Sequence, residues 1–146
     1  MILTDKPILC YVTDRTSLSA GLAVGARREE VLLERIASAA AAGVTWIELR
    51  EKDLDAQLLL DLARQAVSAA RPGSKAGALP PAPLLLVNDR LDVALAAGAG
   101  GVHLAETSVP VGAVSRWKRQ AKRSDFLVGV SCHSREGALR AAADGA

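Results

Sequence analysis

Residues 84–98 read Leu84-Leu85-Leu86-Val87-Asn88-Asp89-Arg90-Leu91-Asp92-Val93-Ala94-Leu95-Ala96-Ala97-Gly98. The apolar run that opens the stretch has no polar residue alternating within it. Such a run marks a strand buried on both faces, as in a parallel sheet. Three polar residues follow. A short helical pattern over Leu91–Ala97 comes next, and Gly98 stops it. Buried strand, polar junction and helix together make one β/α unit.

The unit recurs along the chain. Strands are expected at Ile8–Thr13, Val44–Leu49, Leu84–Val87, Gly101–Leu104 and Phe126–Ser131. A helix over Glu29–Ala42 carries Leu32, Ile36 and Ala40 on one face, with Gly43 as its stop. Asp55 can cap a helix in which Leu59, Leu62, Ala63 and Ala66 share a face. Pro110 opens another, running to about Lys122, and Ser134 caps the last. Strand and helix alternate, and each crossover returns the chain to the same end of a parallel sheet. An open doubly wound sheet and a (β/α)8 barrel both satisfy that order. No glycine-rich fingerprint follows the first strand, where the chain reads Thr13-Asp14-Arg15-Thr16, and this weighs against dinucleotide binding. Ser17–Ala26 and Arg71–Pro83 read as loops. The second is long for such a connection and is expected to be an exposed insertion away from the chemistry.

Composition narrows the function. Half of the 146 residues are apolar but only 3% are aromatic, so the core must be aliphatic. The 18 basic and 16 acidic residues nearly cancel, which leaves no nucleic-acid footprint. The basic run from Arg116 to Arg123 reads as a solvated helix face. Cys10 and Cys132 lie far apart in apolar runs and make neither a disulfide framework nor a metal cluster. A reduced, cytoplasmic compartment fits, with no signal peptide and no apolar run near the roughly 20 residues of a membrane span.

Position is the informative feature. Every strand ends in polar residues: Thr13-Asp14-Arg15, Arg50-Glu51-Lys52, Asn88-Asp89-Arg90, Glu106-Thr107-Ser108 after the fourth strand, and Ser131-Cys132-His133-Ser134. In a parallel barrel these sets gather on one rim, where active sites sit. Alternation points Arg50 and Lys52 the same way, which suits a diphosphate, although a surface salt-bridge cluster reads equally. Asn88-Asp89 can hold Mg2+ and a bridged substrate, or Asp89 can simply cap the next helix. His103, alone in an apolar strand, reads as a core residue. His133 faces the rim and can act as acid or base. Ser131 and Ser134 are candidate phosphate donors. Tyr11, Trp46 and Trp117 read as packing residues.

These strings resemble a known family. Tyr11-Val12-Thr13-Asp14-Arg15 is similar to its opening strand. Glu48-Leu49-Arg50-Glu51-Lys52-Asp53 resembles its Q-L-R-E-K-D motif, Val87-Asn88-Asp89-Arg90 its I-N-D-R motif, and Gly101-Val102-His103-Leu104 its D-G-V-H-L motif. Gly129-Val130-Ser131-Cys132-His133-Ser134 is similar to G-x-S-x-H-S. The family is that of thiamine phosphate synthase, with the TenI-type thiazole tautomerases as near relatives. The resemblance implies a TIM barrel that joins hydroxymethylpyrimidine diphosphate to thiazole phosphate, with Mg2+ as cofactor. It implies Glu48, Arg50, Lys52, Asn88 and Ser131 as substrate-binding residues, Arg50, Lys52 and His133 as catalytic, and Asp89 as metal ligand. Partners are then small molecules, with no nucleic acid or membrane, and a homo-oligomer is compatible.

Two departures stand out. Ser108 falls where the family places a second metal-binding acid, and tautomerase-like members also lack that acid. The chain also stops after five units, at Ala146. The resemblance therefore implies a single domain, 1–146, forming the N-terminal part of a barrel with strands six to eight absent. Such a fragment is expected to be inactive by itself, and an inactive or non-catalytic domain is a further alternative.

Overall fold

The computed structural model describes residues 7–19, 27–71 and 81–146. Five strands form one parallel sheet: β1 (Cys10–Val12), β2 (Trp46–Leu49), β3 (Leu84–Asn88), β4 (Gly101–Leu104) and β5 (Leu127–Val130). Their spatial order is their chain order, β1-β2-β3-β4-β5. A doubly wound sheet reverses direction partway, whereas sequential winding is that of a barrel wall. The helices are α1 (Arg28–Ala41), α2 (Ala56–Ala69), α3 (Leu91–Ala96), α4 (Val111–Gln120) and α5 (Arg135–Ala143). The helices share one core with a single face of the sheet.

The expected helix faces are those that are buried. α1 turns Leu32, Ile36 and Ala40 inward, and α2 turns Leu59, Leu62, Ala63 and Ala66. The Asp55 carboxylate accepts the Leu58 amide at 2.9 Å and so caps α2. Gly43 and Gly98 follow α1 and α3 at φ 86° and 68°, a left-handed backbone that glycine adopts without a Cβ penalty. At the base of β5, Trp117 of α4 meets Phe126 edge to face, with ring centroids 5.5 Å apart. Trp117 and Tyr11 pack on the core as expected.

The register separates the two faces of the sheet. Ile47, Leu49, Leu85, Val87, Val102, Leu104 and Val128 join the helices in one core. The alternate residues face the other way. Val12, Glu48, Leu86, Gly101 and Leu127 lie in one cross-strand row, and Asn88, His103 and Gly129 in the next. This second face is the concave one, and Val12 remains 48% exposed there.

Two expectations need correcting. β1 is only three residues long, because Ile8 and Leu9 lie outside the ladder, 43% and 58% exposed. The segment read as loop from Ser17 begins as a 3-10 turn over Arg15–Ser19, which buries Leu18 to 5% exposure. The Asp14 carboxylate holds that turn by accepting the Thr16 hydroxyl at 2.6 Å and the Thr16 amide at 3.0 Å. The rest of that loop, and most of the Arg71–Pro83 insertion, lies outside the described residues.

Candidate active site

The polar strand ends gather on one rim, and a buried carboxylate ties the first two together. Glu51 is 4% exposed. It accepts the Thr13 hydroxyl at 2.6 Å and the Arg15 amide at 3.1 Å on each oxygen. Thr13 in turn accepts the Arg50 amide at 3.0 Å. Burial pushes the Glu51 carboxyl above its ordinary value, and the hydrogen bonds from Thr13 and Arg15 pull it partly back. Arg15 is itself 7% exposed and donates to Asp53 at 2.6 Å. Glu51 and Arg15 are therefore held by buried contacts that shape the rim, and Glu51 also forms part of the cleft wall.

The neighbours of Glu51 differ from it. Arg50 and Lys52 are exposed, and neither has a carboxylate partner among the described residues. Arg15 and Arg90 differ in being engaged: Arg90 grips Asp92 with two hydrogen bonds, at 2.9 and 2.6 Å. Lys52 lines a cleft of about 240 Å3 together with Glu51, Asn88, Asp89 and Arg90, over Leu54 and Leu59. Arg50 does not line it. Its charge is felt instead at Asp14, whose carboxyl is held below the usual range first by the Thr16 hydroxyl, then by the Ser17 and Thr16 amides and by Arg50.

Asp89 does not cap α3. The N-cap is Arg90, with no side-chain hydrogen bond. Asp89 instead takes a left-handed backbone, φ 59°. Its amide donates to the His103 carbonyl at 2.7 Å, and its Oδ1 accepts the Ala105 amide at 3.4 Å. The β3 and β4 ends are thus joined, and an exposed carboxylate is left at the cleft. Ser108 sits in the turn after β4, its amide bonded to the Ala105 carbonyl at 3.1 Å. Glu106 does not stand in for the missing acid. Its Oε2 faces His133 Nε2 at 4.0 Å, on the β5 side of the rim. His133 is 80% exposed beside that carboxylate. Ser134 accepts the Gly137 amide at 3.0 Å and caps α5.

One cluster is absent from the sequence reading. His103 is no core residue. Its side chain is 28% exposed on the concave face, with Nδ1 3.5 Å from Glu48 Oε2 and Nε2 3.0 Å from Ser131 Oγ. Cys10 lies on the same face, where burial and then the Glu48 charge raise its thiol pKa. The alternation of β4 could have placed His103 opposite Val102 and Leu104, but nothing in an unbroken apolar run says which face is open.

Sequential parallel strands with a polar cluster at their C-terminal ends define a protein of the (β/α)-barrel class. The chain belongs to the thiamine monophosphate synthase family, whose model matches residues 20–146. It is 42% identical over 138 residues to the thiamine-phosphate synthase of Methanoculleus marisnigri, covering 94% of this chain and 56% of that protein. It is 36% identical over 143 residues to the thiamine-phosphate synthase of Roseiflexus castenholzii, covering 98% of this chain and 54% of that one. Among solved structures, thiamine phosphate pyrophosphorylase from Pyrococcus furiosus superposes with a TM-score of 0.69 at 27% identity, over 95% of this chain and 56% of that chain. The chain thus spans little more than half the length of these relatives.

Proposed function

We propose that this rim binds the diphosphate of a hydroxymethylpyrimidine and that the intact gene product joins it to a thiazole phosphate, giving thiamine phosphate and diphosphate. One observation carries the reading beyond family membership: Arg50 and Lys52 stand at the rim without a carboxylate partner among the described residues, while Arg15 and Arg90 are engaged. Two exposed cations without a carboxylate partner are open to an anion, Arg50 as a planar fork and Lys52 as a point charge. In the reaction the carbon–oxygen bond to the diphosphate breaks with its electron pair, and the thiazole nitrogen closes on the methylene left behind. Arg50 and Lys52 stabilise the charge gathering on the leaving group. His133, exposed beyond β5, is assigned as an acid or base at the rim in this reading. The substrates are small molecules, the compartment is the cytoplasm, and a homo-oligomer fits.

Mg2+ fits this rim only together with substrate. No group of three or more His, Cys, Asp or Glu residues able to hold a metal occurs among the described residues. Asp89 would supply one carboxylate and Ser108 a weak neutral ligand, with diphosphate oxygens completing the shell, as Mg2+ commonly arranges. The ion would neutralise the departing diphosphate. D89N tests this role, because Asn tolerates the left-handed backbone at 89. The intact product with both substrates and Mg2+ should release diphosphate, and D89N should reduce that to background. An unchanged rate would refute the metal role.

Ser108 also favours a second reading, a thiazole tautomerase, because a site without the second acid handles diphosphate less well. Isomerisation of a thiazole carboxylate phosphate without diphosphate release would decide for it.

A further inference from the structure

Glu48, His103 and Ser131 stand on β2, on β4 and just beyond β5, lined up across the concave face. Glu48 is 7% exposed, so its charge is poorly screened. Gly129 lies directly opposite His103 in the ladder. A Cβ there would stand 3.2 Å from His103 Nδ1, so this glycine makes room for the ring. The link from Nδ1 to Glu48 is long at 3.5 Å, an electrostatic contact more than a formed hydrogen bond. It still selects between the two neutral forms of the ring. An ionised carboxylate only accepts, so it attracts an Nδ1 hydrogen and repels an Nδ1 lone pair. With its hydrogen on Nδ1, the ring can only accept at Nε2. The hydrogen shared over the 3.0 Å to Ser131 must then come from the serine hydroxyl.

We propose that Glu48 is a positioning residue which, through His103, commits the Ser131 hydrogen and leaves Ser131 as a hydrogen-bond acceptor toward the ligand. The ligand group at Ser131 is then an N–H donor on the heteroaromatic part, and not a phosphate oxygen. Diphosphate binding falls to Arg50 and Lys52. The inference rests on the proposed reading of the rim as the pyrimidine diphosphate site, and it reverses the expectation that Ser131 donates to phosphate.

Nitrogen-15 NMR of the histidine rings reads the first half directly. In the wild-type chain His103 should carry its hydrogen on Nδ1. The mixture should shift toward the Nε2 form in E48A and return in E48Q, whose amide oxygen can also accept. A hydrogen on Nε2 in the wild-type chain would overturn the proposal without any variant. Binding of inorganic diphosphate with Mg2+ reads the second half. K52A should weaken it by about tenfold or more, while S131A changes it little. Loss in S131A matching that in K52A would overturn the acceptor role. If K52A has no effect either, the failure lies with the diphosphate site and not with Ser131.

Discussion

At the scale of single residues, the Arg50-Glu51-Lys52 triplet holds two roles in three positions. The outer cations face solvent, while the middle acid is the buried anchor of the rim. E51A leaves the buried Thr13 hydroxyl and Arg15 amide without their acceptor and takes one nearby carboxylate from Arg15, which keeps Asp53. It should cost about 3 kcal/mol, read as a lower urea midpoint with an unchanged slope; a loss under about 1 kcal/mol would mean that the network is not what holds the rim. The pH dependence has a definite sign. Because burial raises the Glu51 carboxyl, the folded chain keeps this proton where the unfolded chain has released it. The stability contributed is complete below the ordinary carboxylate pKa and is lost as pH climbs through the raised one. E51Q should flatten the unfolding free energy across that window, and equal slopes in the two proteins would contradict the assignment. The triplet was legible as a rim feature, but the role of Glu51 was not. Its partners Thr13 and Arg15 lie 38 and 36 positions earlier, and local spacing cannot show a contact of that range. His103 was misread for the same reason, since Glu48 and Ser131 reach it only through strand pairing.

At the scale of elements, period and punctuation carried the reading. The buried positions of α1 and α2 are the ones their helical spacing marks, because a single apolar stripe against a sheet leaves one way to dock. Strand ends were less legible. Ile8 and Leu9 look like strand, yet the paired register begins at Cys10, with the Leu9 carbonyl accepting the Trp46 amide at 3.0 Å as its lead-in. Capping offers a clean test. D55A removes the acceptor for the Leu58 amide and should destabilise the fold by about 1 kcal/mol, while D55N should retain most of that. A thermal melt of the three proteins checks the order. If D55A melts with the wild type, the 2.9 Å cap contributes nothing measurable.

At the scale of the whole molecule, the barrel wall was legible because alternation of β and α admits few topologies, and the missing fingerprint after β1 removed one. The order β1-β2-β3-β4-β5 then has a consequence for how protection is distributed. β3 has a strand on either side and is nearly dry on both faces, with Leu86 and Val87 at 1% and 0% exposure. β1 has one described neighbour and a wet face. Amide hydrogen exchange should therefore be slowest at Leu85–Val87 and fastest in Cys10–Val12; uniform protection would mean that the sheet opens only as one body. Pairing confined to neighbours in the chain also bears on synthesis. Each unit can settle on the one before it as it leaves the ribosome, and within these five no early strand waits for a late one.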